Sequence, residues 1–158
     1  MKPILVLGLG NLLLSDDAVG LQLLQDLSAQ VPDADEIDFI DGGTQGLALL
    51  PYLSERSSVL ILDAIQLGAE PGTVHVLRDD DVIRLPARHA DTSHEGNGLE
   101  LLSMARLLGE RWQQLIIVGV EPAQVRTGIG LTPEVTAGAA LALLTARQLL
   151  QEMRAICV

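Results

Sequence analysis

Four acids in this chain each follow an aliphatic run. Asp17 comes after Ile4 to Leu7, Asp41 after Ile37 to Ile40, Asp63 after Val59 to Leu62, and Glu121 after Leu115 to Val118. One histidine, His94, stands in a polar stretch just before a helical pattern. If the aliphatic runs are strands of an open α/β sheet, ligands bind outside their carboxyl ends, where these acids lie. Two carboxylates and an imidazole brought to one crevice form a three-ligand metal site with open positions. Each member also has an ordinary alternative. Asp16 and Asp17 suit the first turn of a helix, where the dipole favours anions. An Asp after a buried strand often caps the next turn, and a lone loop His is commonly surface. The residues alone leave both readings open.

Other familiar chemistries find little support. Gly8-Leu9-Gly10-Asn11-Leu12-Leu13 follows a strand but lacks the third glycine of the dinucleotide fingerprint. That weakens a nucleotide-binding reading based on Gly8, Gly10 and Asp41. His94-Glu95-Gly96-Asn97-Gly98 starts like a zinc-protease helix but has no second His, and its glycines would not hold a helix. No Gly-x-Ser-x-Gly elbow or Walker-type Gly-Lys-Ser is present. Cys157, the single cysteine, precludes an intramolecular disulfide and lacks the oriented base that a nucleophile needs. His75 and His89 stay open as accessory ligands, although His75 reads as a strand residue facing a helix or solvent, and His89 as loop surface.

The elements that must position these groups alternate along the chain. Ile4 to Leu7 is apolar on both faces, as a parallel strand covered on both sides should be. Val19, Leu23, Leu24, Leu27 and Val31 then recur at helical spacing, with Ser15 as N-cap and Pro32 as the stop. A second strand ends at Asp41-Gly42-Gly43-Thr44, and a short helix through Leu47, Leu50 and Leu53 follows. The third strand covers Val59 to Leu62, and Pro71-Gly72 turns into a fourth at Thr73 to Leu77. Arg78 to Ser93 reads as a long polar loop, Gly98 to Leu108 as a helix and Leu115 to Val118 as the fifth strand. Glu121 to Leu131 looks irregular. Thr132-Pro133-Glu134 supplies a cap, a first-turn proline and an acid for a last helix running toward Arg154. The expectation is a single α/β domain over residues 1–158, with a twisted, mostly parallel five-stranded sheet flanked by helices on both faces.

The chain has 158 residues, of which 48% are hydrophobic, with one Trp, one Tyr and one Phe, so its core must be aliphatic. The net charge of -11 repels phosphate backbones and argues against a nucleic-acid partner. The apolar stretch from Ala137 to Ala146 falls short of the roughly 20 residues a membrane span needs. The N-terminal apolar run is short, leads into a glycine turn and has no Ala-x-Ala site. A soluble cytoplasmic protein is expected.

Several blocks carry a resemblance. Gly8-Leu9-Gly10-Asn11 with Ser15-Asp16-Asp17-Ala18-Val19-Gly20 resembles the N-terminal signature of the nickel–iron hydrogenase maturation endopeptidases. Asp41-Gly42-Gly43-Thr44-Gln45-Gly46 resembles their second block, and Asp63-Ala64 with Pro71-Gly72-Thr73 their third. Ser93-His94-Glu95 leading into Gly98-Leu99-Glu100-Leu101-Leu102 resembles the fourth. Val118-Gly119-Val120-Glu121-Pro122 and Leu131-Thr132-Pro133 complete the series, in matching order over almost the whole chain. One departure is Ala18, where many relatives have Gly.

The resemblance implies an enzyme that removes a C-terminal extension from the hydrogenase large-subunit precursor after nickel delivery. It implies Asp17, Asp63 and His94 as metal-binding and catalytic residues, with Asp16 a helix N-terminal acid or a residue supporting the ligands from behind, and Asp41, Gly42, Gly43 and Thr44 a loop beside the site. Nickel would arrive with the precursor, and zinc or cadmium could substitute in the isolated protein, which is expected to be a monomer. A nickel-binding chaperone that inspects the precursor without cutting it would use the same residues.

Overall fold

The computed structural model describes residues 1–32, 34–83 and 98–157. Five strands form one sheet: β1 (Ile4–Leu9), β2 (Ile37–Gly43), β3 (Ser58–Ala64), β4 (Val74–Arg78) and β5 (Gln114–Val120). Their order is β2-β1-β3-β5-β4, with β4 alone antiparallel. The expected sheet is therefore the observed one. β1 and β3 are buried along their length on both faces, apart from the half-buried Ala64 that ends β3. That accounts for their unbroken aliphatic character.

The helices divide between the faces. α1 (Val19–Gln30) and α5 (Pro133–Ile156) cover one face, where Val19, Leu23, Leu27, Ala142, Ala146 and Met153 pack with Ile4, Val6, Leu60 and Val118. α2 (Leu50–Leu53) and α4 (Gly98–Leu107) cover the other, joining Leu53, Leu101 and Leu102 to Leu5, Leu7, Ile61 and Ile117. α3 (Asp80–Ile83) is a single turn inside the stretch expected as loop. Asp79, at φ 39°, starts it: its backbone N–H donates to the Leu115 carbonyl (2.9 Å), and its carboxylate accepts the Leu115 N–H (3.0 Å). A tertiary anchor on β5, absent from any local pattern, turns the chain there.

The chain leaves β1 on the α1 face and returns from β2 to β3 on the α2 face. The carboxyl ends of β1 and β3 therefore flank the point where the winding reverses, which is where open α/β sheets bind ligands.

The fit of α1 onto this point is close. A Cβ placed on Gly20 would lie 2.3 Å from the carbonyl oxygens of both Leu9 and Leu62, and 2.9 Å from the Asp63 Cα. Those atoms are backbone and cannot rotate away. Gly8 repeats the arrangement from the strand side, since a Cβ there would meet the Leu24 Cβ at 2.8 Å. Substituting Gly20→Val should therefore lift α1 from the sheet and destabilise the fold by about 3 kcal/mol or more. Urea unfolding checks this, and a midpoint equal to wild type would contradict it.

Candidate active site

A 3₁₀ turn, Ser15–Ala18, precedes α1 and carries both acids of the pair. Their carboxylates diverge. Asp17, half-buried, accepts the Asn11 N–H through Oδ2 at 2.9 Å. Asn11 in turn accepts the Leu13 N–H through Oδ1 at 2.9 Å, so the loop after β1 is folded around the Asp17 carboxylate. Gly10 closes it from beneath. Its φ is 143°, and a Cβ there would stand 2.1 Å from the Asp17 carbonyl oxygen.

Asp63, the penultimate residue of β3, is buried. Its Oδ1 accepts the Ala64 N–H (2.8 Å) and its Oδ2 the Gly98 N–H at the start of α4 (3.2 Å). Gly98 is needed for that approach, since a Cβ would crowd Ile61 Cγ2 at 3.1 Å and Leu9 Cδ1 at 3.2 Å. Burial raises the Asp63 carboxyl to about 7 against the pull of the Gly98 N–H, and the negative charge of Asp17 raises it further against the Ala64 N–H. Two of the three expected ligands thus converge on one crevice. His94, the third, lies outside the described residues, as does His89. Among the described residues no group of three metal-ligating side chains occurs.

Asp41, Gly42 and Gly43, expected with Thr44 as a loop, instead form the last residues of β2, which keeps pairing with β1 through an irregularity in register and lies against this site. Gly43, at φ 49°, accepts the Gly10 N–H on its carbonyl (3.0 Å), and its own N–H donates to Asp41 Oδ1 (3.0 Å). Gly42 is buried where a Cβ would meet Leu49 and Leu9 side chains at 2.8 Å. Asp41 and Thr44 are exposed. Asp41 spends its carboxylate on this bend of the chain.

Glu121, the acid after β5, has a different task. Its buried carboxylate accepts the N–H groups of Leu67 (2.9 Å) and Ala69 (2.7 Å) and faces His75 Nε2 at 3.3 Å. It fixes the turn between β3 and β4. His75 therefore faces this carboxylate, rather than the helix or solvent that its strand position suggested.

Asp16, read from the sequence as a helix N-terminal acid or a residue supporting the ligands from behind, finds its partners far from α1. It is fully buried, and instead of serving α1 it accepts four donors from the far end of the chain. These are the N–H groups of Ala123 (2.9 Å), Gln124 (3.0 Å) and Thr132 (2.7 Å), and the Thr132 hydroxyl. Ser15, expected as an N-cap, likewise turns away from α1, at φ 50°, and its buried hydroxyl donates to the Arg126 carbonyl at 2.8 Å. Thr132 holds the N-cap position of α5 without a side-chain cap bond, because its hydroxyl is spent on Asp16. The only local signal was the doubled acid at 16 and 17, since every partner of Asp16 is more than a hundred residues away.

Comparison with known proteins places the chain in a family. A family model described as hydrogenase maturation protease matches residues 21–148. The hydrogenase 2 maturation protease of Escherichia coli is 38% identical over 135 residues, covering 85% of this chain and 82% of that protein. The hydrogenase expression/formation protein HupD of Bradyrhizobium diazoefficiens is 37% identical over 133 residues, covering 84% of this chain and 69% of that one. Among solved structures, the hydrogenase maturating endopeptidase HybD from E. coli superimposes with a TM-score of 0.80 at 36% identity, covering 97% of this chain and 94% of its own. With sequence and fold in agreement over most of its length, the chain belongs to the hydrogenase maturation protease family.

Proposed function

We propose that this protein is an endopeptidase that removes the C-terminal extension of a nickel–iron hydrogenase large-subunit precursor after nickel insertion. Asp17, Asp63 and His94 engage the nickel that the precursor already holds, and so recognise and orient the scissile peptide. The observation that carries this reading is the pairing of Asp17 with the buried Asp63 at the switch point of the sheet. A desolvated carboxylate that feels the charge of a second acid is unfavourable when ionised unless a proton or a cation offsets that charge. A divalent ion suits that need, and an O/N donor set of this kind accepts nickel, zinc or cadmium. The protease family supports hydrolysis as the reaction. Water is then the nucleophile, and the site carboxylates hold it or the peptide carbonyl in position. The reaction belongs in the cytoplasm, and the free enzyme acts as a monomer. Among the described residues no helix is long and apolar enough to cross a membrane.

The decisive assay uses nickel-loaded and nickel-free precursor, read by mass spectrometry of the C-terminus. Cleavage of the loaded form alone is expected, with loss of activity in Asp17→Ala, Asp63→Ala and His94→Ala. Nickel-dependent binding without any released peptide would replace this reading with a chaperone that inspects the precursor. Intact processing by Asp63→Ala would reject the assignment of the site.

Asp63 also predicts a pH dependence of stability. A carboxyl raised in the folded state holds a proton that the unfolded chain has already released. Its contribution to stability is full below the unfolded value of 3.8 and is lost as the pH rises through about 7. Asp63→Asn removes that charge but sets an amide against one of the two N–H donors. It should be more stable than wild type by about 1–3 kcal/mol near pH 8, with the advantage shrinking toward pH 4. Thermal melts at several pH values test this, and a pH-independent difference would contradict it. Nickel added near pH 8 should raise the wild-type melting temperature and leave that of Asp63→Asn nearly unchanged.

A further inference from the structure

We propose that Asp16 is a positioning residue for proteolysis, a buried latch that locks the segment from Pro122 to Thr132 onto the turn that presents Asp17. The proposal rests on the endopeptidase reading above and adds to it a residue that touches neither substrate nor metal.

The geometry of the latch is specific. Asp16 and Asp17 are consecutive in one tight turn, so anchoring Asp16 fixes the backbone from which the Asp17 side chain projects. Asp16 Oδ2 takes the N–H groups of Ala123 and Gln124, and Oδ1 that of Thr132, while the Thr132 hydroxyl lies 3.0 Å from Oδ1 and 2.9 Å from Oδ2. Both ends of the 122–132 segment are thereby tied to one carboxylate. Its middle is tied to the same turn by three more bonds. The Ser15 hydroxyl donates to Arg126, the Ser15 N–H to the Gly128 carbonyl (2.8 Å), and the Gly128 N–H to the Leu13 carbonyl (2.9 Å). The Asp16 N–H adds a bond to the Gln124 carbonyl at 3.3 Å.

The latched segment has no helix or strand of its own to hold it in place. Between its tied ends it carries exposed Arg126, Thr127 and Ile129 beside the loop that bears exposed Leu12 and Leu13. Asp16 therefore makes an otherwise irregular segment into a fixed wall next to Asp17. Because the Asp16 carboxylate is fully buried and satisfied by backbone donors from that wall, any change to it is transmitted to the pose of Asp17. A misplacement of about 1 Å at a reacting group can cost on the order of a hundredfold in rate.

The test compares kcat and KM for nickel-loaded precursor in the full-length wild-type, Asp16→Asn, Thr132→Val, Thr132→Ser and Asp17→Ala proteins. Folding of each variant is established by circular dichroism and a cooperative melt, and activity is measured well below every melting temperature. Asp16→Asn should turn an amide toward one set of N–H donors and lower kcat at least about tenfold, with KM changed less than about threefold. Thr132→Val, which keeps the Asp16 charge and loses only the hydroxyl, should lower kcat less. Thr132→Ser should restore it. If Asp16→Asn does not fold, the contrast between Thr132→Val and Thr132→Ser decides. Wild-type kcat per folded molecule in Asp16→Asn and Thr132→Val, with Asp17→Ala inactive, would overturn the latch and leave the proposed function standing. A wild-type protein that binds the precursor without cutting it would overturn both.

Discussion

The architecture of this protein depends on a helix that rests directly on backbone. Where α1 crosses the carboxyl ends of β1 and β3, its Gly20 leaves no space for even a methyl group over the Leu9 and Leu62 carbonyls. Aliphatic residues elsewhere on α1 fill the core and would hold the helix at an ordinary side-chain distance. Gly20 and Gly8 together bring it closer than that. The consequence falls on the preceding turn. With α1 pressed against the end of β3, the turn Ser15–Ala18 packs against that strand, and the charge of Asp17 reaches the Asp63 carboxyl. A larger residue at position 20 would widen the crevice as well as weaken the core.

Among the described residues, three carboxylates near this end of the sheet are buried, and they are satisfied in different ways. Asp16 accepts four donors, and Glu121 accepts two backbone N–H groups and faces His75. Both act as anchors that give a loop its shape, since a desolvated charge persists only where donors surround it. Asp63 has two backbone donors and faces another acid. It alone of the three retains an electrostatic imbalance, and it stands at the switch point. The contrast separates an acid left with too few donors from those fully committed to shaping a loop, a distinction that their shared placement after strands does not make.

The crevice is assembled from segments distant in sequence: the loop after β1, the end of β2, the end of β3 and the start of α4. The bond from the Gly10 N–H to the Gly43 carbonyl joins the first two, and the bond from the Gly98 N–H to Asp63 joins the last two. In each case a glycine permits backbone to approach backbone or carboxylate closely. The glycines that look like turn punctuation in the sequence are here contact surfaces of the site.

Periodicity and composition determined the class of the fold, the five strands, the main helices and the side of the sheet on which the acids gather. Those features follow from which faces of each element must be apolar, which is a local property of the chain. The resemblance of the motif blocks further implied Asp17, Asp63 and His94 as one set. What only the tertiary structure decided is the direction in which each buried acid is satisfied. Asp16 and Ser15 read as a helix start, yet their partners lie between residues 123 and 132. Glu121 read as one more acid at a strand end, yet it is consumed by the turn at 67–69. A carboxylate must be paired once it is buried, and the chain that passes beside it in the folded state, rather than its neighbours in sequence, supplies the donors.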